Sequence, residues 1–139
     1  MKQRILFLCT HNSARSQMAE GLLQALGGDR FEVLSAGTEA TLVRPLAIQV
    51  MQEIGIDISG QFSKTLDCYS QEPLDEVITV CDTAAQTCPV FQYAKRTRHW
   101  SFPDPSKASG SIEEQLTQYR HVRDAIRTQL ESELLAPVS

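Results

Sequence analysis

The sequence has 139 residues, four cysteines and a formal net charge of −4 at pH 7. This length suits one domain, so we expect residues 1–139 to fold as a single unit. The negative charge argues against a general nucleic-acid binder, which needs a basic face. No apolar run approaches membrane-spanning length, and the N-terminus lacks the features of a secretory signal. We therefore expect a monomeric cytoplasmic protein that binds neither nucleic acid nor membrane.

The first half of the chain predicts two strands and two helices. Residues 4–8 form a nearly continuous apolar run that ends at Cys9, which is typical of a central strand. A polar loop follows, and then a helix that Gly27 and Gly28 close. Residues 31–34 predict a second strand, and Pro45 suits the first turn of a second helix, which Gly55 stops. The predicted inward faces are Met18, Ala19, Leu22, Leu23 and Leu26 in the first helix, and Ala47, Val50, Met51 and Ile54 in the second.

The second half predicts two further strands and a long final helix. The β-branched run at residues 77–80 indicates a third strand that leads directly into Cys81, and residues 98–102 indicate a fourth. Ser111 and Glu114 have the spacing of a capping box, which opens the last helix. Its predicted inward face is Ile112, Leu116, Tyr119, Val122, Ile126 and Leu130.

Alternating strands and helices indicate an α/β fold with a small, doubly wound, four-stranded parallel sheet and helices on both faces. Ligands of such folds bind beyond the carboxyl ends of the strands. Cys9 follows the first predicted strand, Cys81 follows the third and Asp104 comes after the fourth. We therefore expect these three side chains to emerge at the same edge of the sheet.

The loop after the first strand has the composition of an anion cradle. Five residues separate Cys9 from Arg15, in a strand–loop–helix setting. Backbone N–H groups at a helix N-terminus can converge on one anion, and Asn12 tolerates the left-handed conformation that such loops require. The planar fork of Arg15 matches two oxygens of a tetrahedral anion, and a positive environment favours the nucleophilic thiolate of Cys9. The alternative is that Cys9 is a small buried apolar residue at a strand end.

The residues of this loop belong to a longer pattern. The sequence from Leu8 to Gly21, LCTHNSARSQMAEG, resembles the phosphate loop and first helix of the low-molecular-weight tyrosine phosphatase superfamily, and more closely the thioredoxin-coupled arsenate reductases built on that fold. The likeness covers nearly the whole chain. It continues through Ser35-Ala36-Gly37, residues 55–59, Cys81-Asp82, Cys88-Pro89, His99-Trp100 and Asp104-Pro105.

The resemblance implies an oxyanion site and a disulfide cascade. The oxyanion-binding residues would be Thr10, His11, Asn12, Ser13, Ala14, Arg15 and Ser16. Cys9 would attack arsenate with Asp104 as general acid, Cys81 would then attack Cys9, and Cys88 would attack Cys81. Thioredoxin would reduce the final disulfide as an external reductant, so no bound cofactor is expected. On a regular helix Cys81 and Cys88 would lie about 10 Å apart, whereas a disulfide needs Cα atoms within about 7 Å, so the segment between them must rearrange.

Three positions depart from the family pattern. His11 stands where many relatives carry glycine, which affects the conformation of the loop. Relatives that bind a potassium ion resemble this chain at Asn12, Glu20 and Ser35, but Phe62 and Lys64 replace their polar or acidic groups. We therefore expect no metal site.

Other interpretations of the same residues remain open. A low-molecular-weight protein tyrosine phosphatase would use the same loop, Arg15 and Asp104, but it would need neither Cys81 nor Cys88. A non-catalytic oxyanion or redox sensor is a further alternative. Cys81 and Cys88 could also be ordinary buried thiols, and Asp104 a turn residue between two prolines. Cys68 matches no family position, and we expect it to have no role in the chemistry.

Overall fold

The computed structural model describes residues 3–9, 12–37, 41–65, 73–80 and 94–135. Within them, four parallel strands form one sheet in the order β2-β1-β3-β4. The strands are β1 (Gln3–Cys9), β2 (Phe31–Gly37), β3 (Leu74–Thr79) and β4 (Ala94–His99). The helices are α1 (Arg15–Gly27), α2 (Pro45–Gln52) and α3 (Ile112–Glu133), and a short 3₁₀ helix covers Pro105–Lys107. The predicted fold class, a small doubly wound parallel α/β sheet, is confirmed.

The two faces of β1 explain why its sequence is apolar at every central position. Ile5, Phe7 and Cys9 point into the main core, to which all three helices contribute, and Leu6 and Leu8 point into a second apolar cluster. Successive side chains of a strand alternate between faces, so a strand buried on both sides has no polar alternation. Burial on both faces fixes the position of β1 in the centre of the sheet, and the candidate site lies at its carboxyl end.

The predicted boundaries and inward faces need five corrections. Strand β2 continues beyond residue 34 to Gly37, and β3 begins at Leu74. Strand β4 covers residues 94–99, whereas the sequence predicted 98–102. The prediction failed because β4 is an edge strand made mostly of exposed polar residues, which produce no apolar run. Leu26 and Ile112 were predicted to face inward, but both are exposed.

Local signals at the turns agree with the structure. The capping box is present: Glu114 N–H donates to Ser111 Oγ at 3.1 Å, and Ser111 N–H donates to Glu114 Oε1 at 3.3 Å. Gly55 ends the turn that follows α2, with a φ of +79°, a conformation that would be strained in a residue with a side chain. Among the helices that the structure describes, none is long and apolar enough to cross a membrane.

Candidate active site

The carboxyl end of β1 lies at the centre of the sheet, where the strand order reverses. Cys9 is the last residue of β1 and is paired with Gly37 at the end of β2. On the other side, Val80 N–H donates to Leu8 O at 2.9 Å, so the chain that leaves β3 passes directly beside the end of β1. This is the position at which doubly wound folds bind their ligands.

The sulfur of Cys9 is buried and surrounded by donors. Asn12 N–H donates to Cys9 Sγ at 3.2 Å, and Ser16 Oγ lies 2.9 Å from the same sulfur. Ser16 belongs to the first turn of α1, whose N-terminus has a positive partial charge. Hydrogen bonds and a helix N-terminus beside the sulfur are the surroundings typical of a nucleophilic cysteine.

The side chain of Asn12 holds the Ser16 hydroxyl in place. Lys64 N–H donates to Asn12 Oδ1 at 3.0 Å, and because a backbone N–H can act only as a donor, this atom must be the amide oxygen. The amide nitrogen Nδ2 therefore faces Ser16 and donates to its Oγ at 2.8 Å. Ser16 Oγ thus accepts from Asn12 and also lies within hydrogen-bond distance of Cys9 Sγ, where either atom can donate. Asn12 therefore holds the Ser16 hydroxyl beside the sulfur.

Asn12 occupies the left-handed backbone region, with a φ of +50°. Asparagine is among the few residues other than glycine that adopt this conformation at low cost. The sequence predicted this conformation from the residue type, and the structure confirms it. The turn it creates brings the Asn12 N–H back onto the sulfur three residues earlier.

A buried polar network supports Asn12 from behind the loop. Gln17 Nε2 donates to Asn12 O, to Asn12 Oδ1 and to Phe62 O, each at 2.9–3.0 Å. Gln61 Nε2 in turn donates to Gln17 Oε1 at 2.7 Å. The segment at residues 61–64 therefore packs against the loop through hydrogen bonds that are buried or partly buried, and burial strengthens such bonds.

Lys64 places a buried positive charge at the far side of this network. Its Nζ lies 3.8 Å from Glu20 Oε1 and 3.1 Å from Phe62 O, and it lies 4.8 Å from the centre of the Phe62 ring. The hydroxyl of Ser35 donates to the same Glu20 oxygen. The positive charge that balances the Glu20 carboxylate is therefore that of Lys64.

Arg15 is the cation of the loop and is buried. One guanidinium nitrogen, NH1, donates to Phe102 O at 3.1 Å, and the other, NH2, lies 3.6 Å from Asp104 Oδ2. Phe102 belongs to the segment that follows β4. Arg15 therefore connects the start of α1 to the segment carrying Asp104, and the predicted meeting of Asp104 with the loop is confirmed.

Asp104 caps the short 3₁₀ helix. Its Oδ1 accepts from Ser106 N–H at 2.9 Å and from Ser106 Oγ at 2.7 Å, while Oδ2 faces Arg15. Burial raises the pKa of Asp104, but the two hydrogen bonds from Ser106 lower it. The positive charges of Arg15 and Lys107 lower it further, so that the pKa of this carboxyl lies below its ordinary value. Asp104 is thus a carboxylate at neutral pH when no anion is bound.

Four further residues lie near this edge of the sheet. Thr79 Oγ1 lies 2.6 Å from His99 Nδ1 and links the ends of β3 and β4. The Trp100 ring packs on the Phe7 ring, with centroids 6.2 Å apart, which gives Trp100 a packing role. Tyr119 of α3 is buried, which raises the pKa of its phenol; the charge of Arg44 lowers this pKa, and that of Asp104 raises it.

Residues 4–138 match the family of low-molecular-weight phosphotyrosine protein phosphatases. The chain belongs to this family. Among curated relatives, an arsenate reductase of Halalkalibacterium halodurans is 50% identical over 125 residues, which is 90% of each chain. An arsenate reductase of Bacillus subtilis is 44% identical over 126 residues, which is 91% of each chain. The resemblance seen in the sequence is therefore confirmed.

Solved structures of the same family superpose on the chain. An arsenate reductase in a phosphate-binding state is 35% identical, with a TM-score of 0.81, and covers 94% of this chain and 95% of its own. A thioredoxin-dependent arsenate reductase of Corynebacterium glutamicum is 30% identical, with a TM-score of 0.67. That match covers 98% of this chain and 64% of the relative. A tyrosine phosphatase of Erwinia amylovora, 19% identical with a TM-score of 0.76, shares the fold.

The structure describes part of the predicted family site. Cys9, Asn12, Ser13, Ala14, Arg15, Ser16 and Asp104 are described, and they lie around one point at the carboxyl edge of the sheet. The predicted loop residues Thr10 and His11 lie outside the described residues. So do Cys68, Cys81 and Cys88, which means that the predicted disulfide partners remain predictions.

Sequence reasoning missed two contributors to this family site. Gln17 was overlooked because a glutamine in a helix suggests a solvent-exposed position, yet it is completely buried. The other is the backbone carbonyl of Phe102, which accepts from Arg15. No side-chain pattern reveals a backbone acceptor, and Gln17 lies opposite the predicted inward face of α1 at helical spacing, so the apolar pattern gave no signal for it.

Proposed function

We propose that this chain is an arsenate reductase in which Cys9 is the nucleophile and thioredoxin is the external reductant. The observation that carries the proposal is the convergence of Ser16 Oγ and Asn12 N–H on a buried thiol whose loop also supplies Arg15. The arsenate reductase relatives and the phosphate-binding state of one of them support a tetrahedral oxyanion at this loop. The thioredoxin-dependent relative supports the reductant.

The first step forms a bond between Cys9 and arsenic. The thiolate attacks As(V) held by the loop amides and Arg15, and one arsenate oxygen departs as water after it receives a proton from Asp104. Fixed donors at the loop cost no reorganisation when charge develops on the oxyanion. Because Asp104 is ionised in the anion-free site, it must take up a proton when the substrate binds.

The later steps move oxidation away from the loop. The Cys81 thiolate attacks the Cys9 sulfur, a disulfide forms, and the S–As electron pair stays on arsenic, which leaves as arsenite. Cys88 then attacks Cys81 and releases the Cys9 thiolate. Thioredoxin reduces the Cys81–Cys88 disulfide by thiol–disulfide exchange. The reaction needs no bound metal or organic cofactor, and we propose that it takes place in the cytoplasm, where thiols are kept reduced.

The direct test is arsenate-dependent oxidation of NADPH through thioredoxin reductase and thioredoxin. We expect one NADPH consumed for each arsenite formed. The Cys88→Ser variant should complete at most about one turnover and trap a Cys9–Cys81 disulfide, which peptide mass mapping detects. Multiple turnovers in Cys88→Ser would contradict the cascade.

A phosphatase of the same family is the second candidate, because the loop, Arg15 and Asp104 would also serve phosphoryl transfer. Family phosphatases usually carry aromatic residues after the Asp-Pro pair, whereas Ser106 and Lys107 follow Pro105 here. Comparing kcat/KM for arsenate with that for an aryl phosphate separates the two functions. Efficient turnover of the aryl phosphate without any arsenate reduction would establish the phosphatase.

A further inference from the structure

Asp104 has two oxygens in unlike surroundings. Oδ1 accepts two hydrogen bonds from Ser106, one from N–H at 2.9 Å and one from Oγ at 2.7 Å. Oδ2 lies 3.6 Å from Arg15 NH2, on the side of the nucleophile loop. Two donors occupy the lone pairs of Oδ1 that lie in the carboxyl plane, so a proton added to this carboxyl goes to Oδ2.

We propose that Ser106 is a positioning residue for Asp104, and that it assigns to Oδ2 a proton which Asp104 takes up when an oxyanion binds at Arg15. This inference rests on the oxyanion site in the proposed function. It adds to that function that oxyanion binding is coupled to proton uptake by Asp104, and that Ser106 sets the pH range of this uptake.

The charges around Asp104 explain the linkage. Arg15 from α1 and Lys107 from the 3₁₀ helix stabilise the carboxylate, while the buried Tyr119 of α3 faces it as a neutral phenol. An anion that binds Arg15 neutralises its charge and places a second negative charge beside Oδ2. Like charges in a partly buried site raise the pKa of a carboxyl, so Asp104 takes up a proton from solvent as the anion enters.

The sign of the pH effect follows from linkage. The pKa of Asp104 is low in the anion-free protein and higher in the complex, so between these two values binding takes up a proton. Affinity for a fully ionised anion therefore increases as the pH falls through this range, approaching about tenfold per pH unit where uptake is complete. Below the pKa of the anion-free protein, Asp104 is already protonated and the increase stops.

The test measures sulfate binding to the Cys9→Ser protein by isothermal titration calorimetry. Sulfate has no proton to bring at neutral pH, and the Cys9→Ser change removes the thiol as a competing titrating group. We expect affinity to increase at lower pH, and the binding heat to vary with the ionisation enthalpy of the buffer. In Cys9→Ser/Asp104→Asn both dependences should disappear. A pH-dependence that persists in the asparagine variant belongs to another group, such as His11, and would overturn the proposal.

Three variants of the Cys9→Ser protein test Ser106. Ser106→Ala removes the hydroxyl donor and keeps the N–H donor, so the pKa of Asp104 in the anion-free protein should rise and the pH at which affinity stops increasing should rise with it. Ser106→Thr retains a hydroxyl and should behave like Ser106. Ser111→Ala is a control, because it removes a hydroxyl that caps α3. NMR titration of the Asp104 carboxyl carbon reports the change directly, without turnover.

The outcomes separate this inference from the proposed function. An unchanged Asp104 titration in Ser106→Ala would overturn the role of Ser106, and pH-independent sulfate binding would overturn the proton uptake. Neither result depends on arsenate reduction, because the Cys9→Ser protein performs no turnover. If instead arsenate is not reduced by the wild-type protein while the sulfate linkage is present, the reductase proposal fails and this inference stands.

Discussion

The two ends of the sheet use charged residues in different ways. At the amino end, the Lys95–Asp75 pair has an N–O distance of 3.1 Å, with side chains 78% and 30% exposed. At the carboxyl end, the side chains of Arg15 and Asp104 are 7% and 11% exposed, at 3.6 Å. Water screens the first pair and not the second. The shorter pair is therefore the weaker one, and burial more than distance decides where charge is available for chemistry.

The ends also differ in what their donors do. At the amino end, Arg4 donates to Glu32 at 2.6 Å and its backbone N–H donates to Asp75, so opposite charges are paired with each other. At the carboxyl end, the donors of Asn12 and Ser16 converge on the Cys9 sulfur. Paired charges stabilise a fold modestly, whereas donors that converge on one atom form a site for a negative charge.

The largest effect is expected from Cys9→Ser, which removes the atom on which the carboxyl-end donors converge. Arsenate turnover should fall by about 10⁴-fold or more, because a serine hydroxyl cannot form the disulfide. The coupled NADPH assay measures this loss. Cys68→Ser is the matched control and should keep a rate close to that of the wild type. An equal loss in both variants would show that the prediction for Cys68 was wrong.

Arg15→Lys is expected to have the next largest effect. The lysine keeps a positive charge but loses the planar fork and the hydrogen bond to Phe102 O, so kcat/KM for arsenate should fall by about 10²–10³-fold. Arg96→Lys, on the exposed face of the edge strand β4, should stay within about twofold of the wild type. A kcat/KM of Arg15→Lys near that of the wild type would mean that a positive charge at position 15 is sufficient for the reaction, without the planar fork.

A pair of variants at Asn12 separates backbone conformation from side-chain bonding. Both Asn12→Gly and Asn12→Ala remove the amide, so alkylation of Cys9 by iodoacetamide should slow by about tenfold in each. Alanine also strains the left-handed backbone, so urea denaturation should show it less stable than the glycine variant by about 1 kcal/mol. A wild-type alkylation rate in Asn12→Gly would mean that the Asn12 side chain does not orient Ser16.

The smallest effect is expected at the amino end. Lys95→Met removes an exposed ion pair and should lower the free energy of unfolding by less than about 0.5 kcal/mol, with an unchanged kcat. The hydrogen bond from Arg4 N–H lowers the pKa of Asp75, and Lys95 lowers it further, so the first of these contributions remains in the variant. Urea denaturation at low and high salt measures the difference. A large change in kcat would contradict the contrast between the two ends.

Prediction from sequence worked best where one residue type has a local physical meaning. Gly55, Asn12 and the pair Ser111 and Glu114 each acted as predicted, because positive φ and capping depend on neighbouring residues. It worked least well for β4, whose residues are mostly polar and exposed. An edge strand obtains its hydrogen bonds from a neighbour distant in sequence, and no local pattern reveals that neighbour.

The amino-acid sequence alone was sufficient for the order of the strands and helices, the nucleophile loop and the family. These follow from apolar periodicity and from a contiguous motif, both of which are local. The contacts that support the loop could not be read from it: the side chains of Gln17 and Gln61, the backbone N–H of Lys64 and the accepting carbonyl of Phe102 come from separate parts of the chain. The same holds for the unequal oxygens of Asp104, because Arg15 reaches Oδ2 from a helix 89 positions earlier in the chain. Such contacts arise when the folded sheet brings distant segments to one edge.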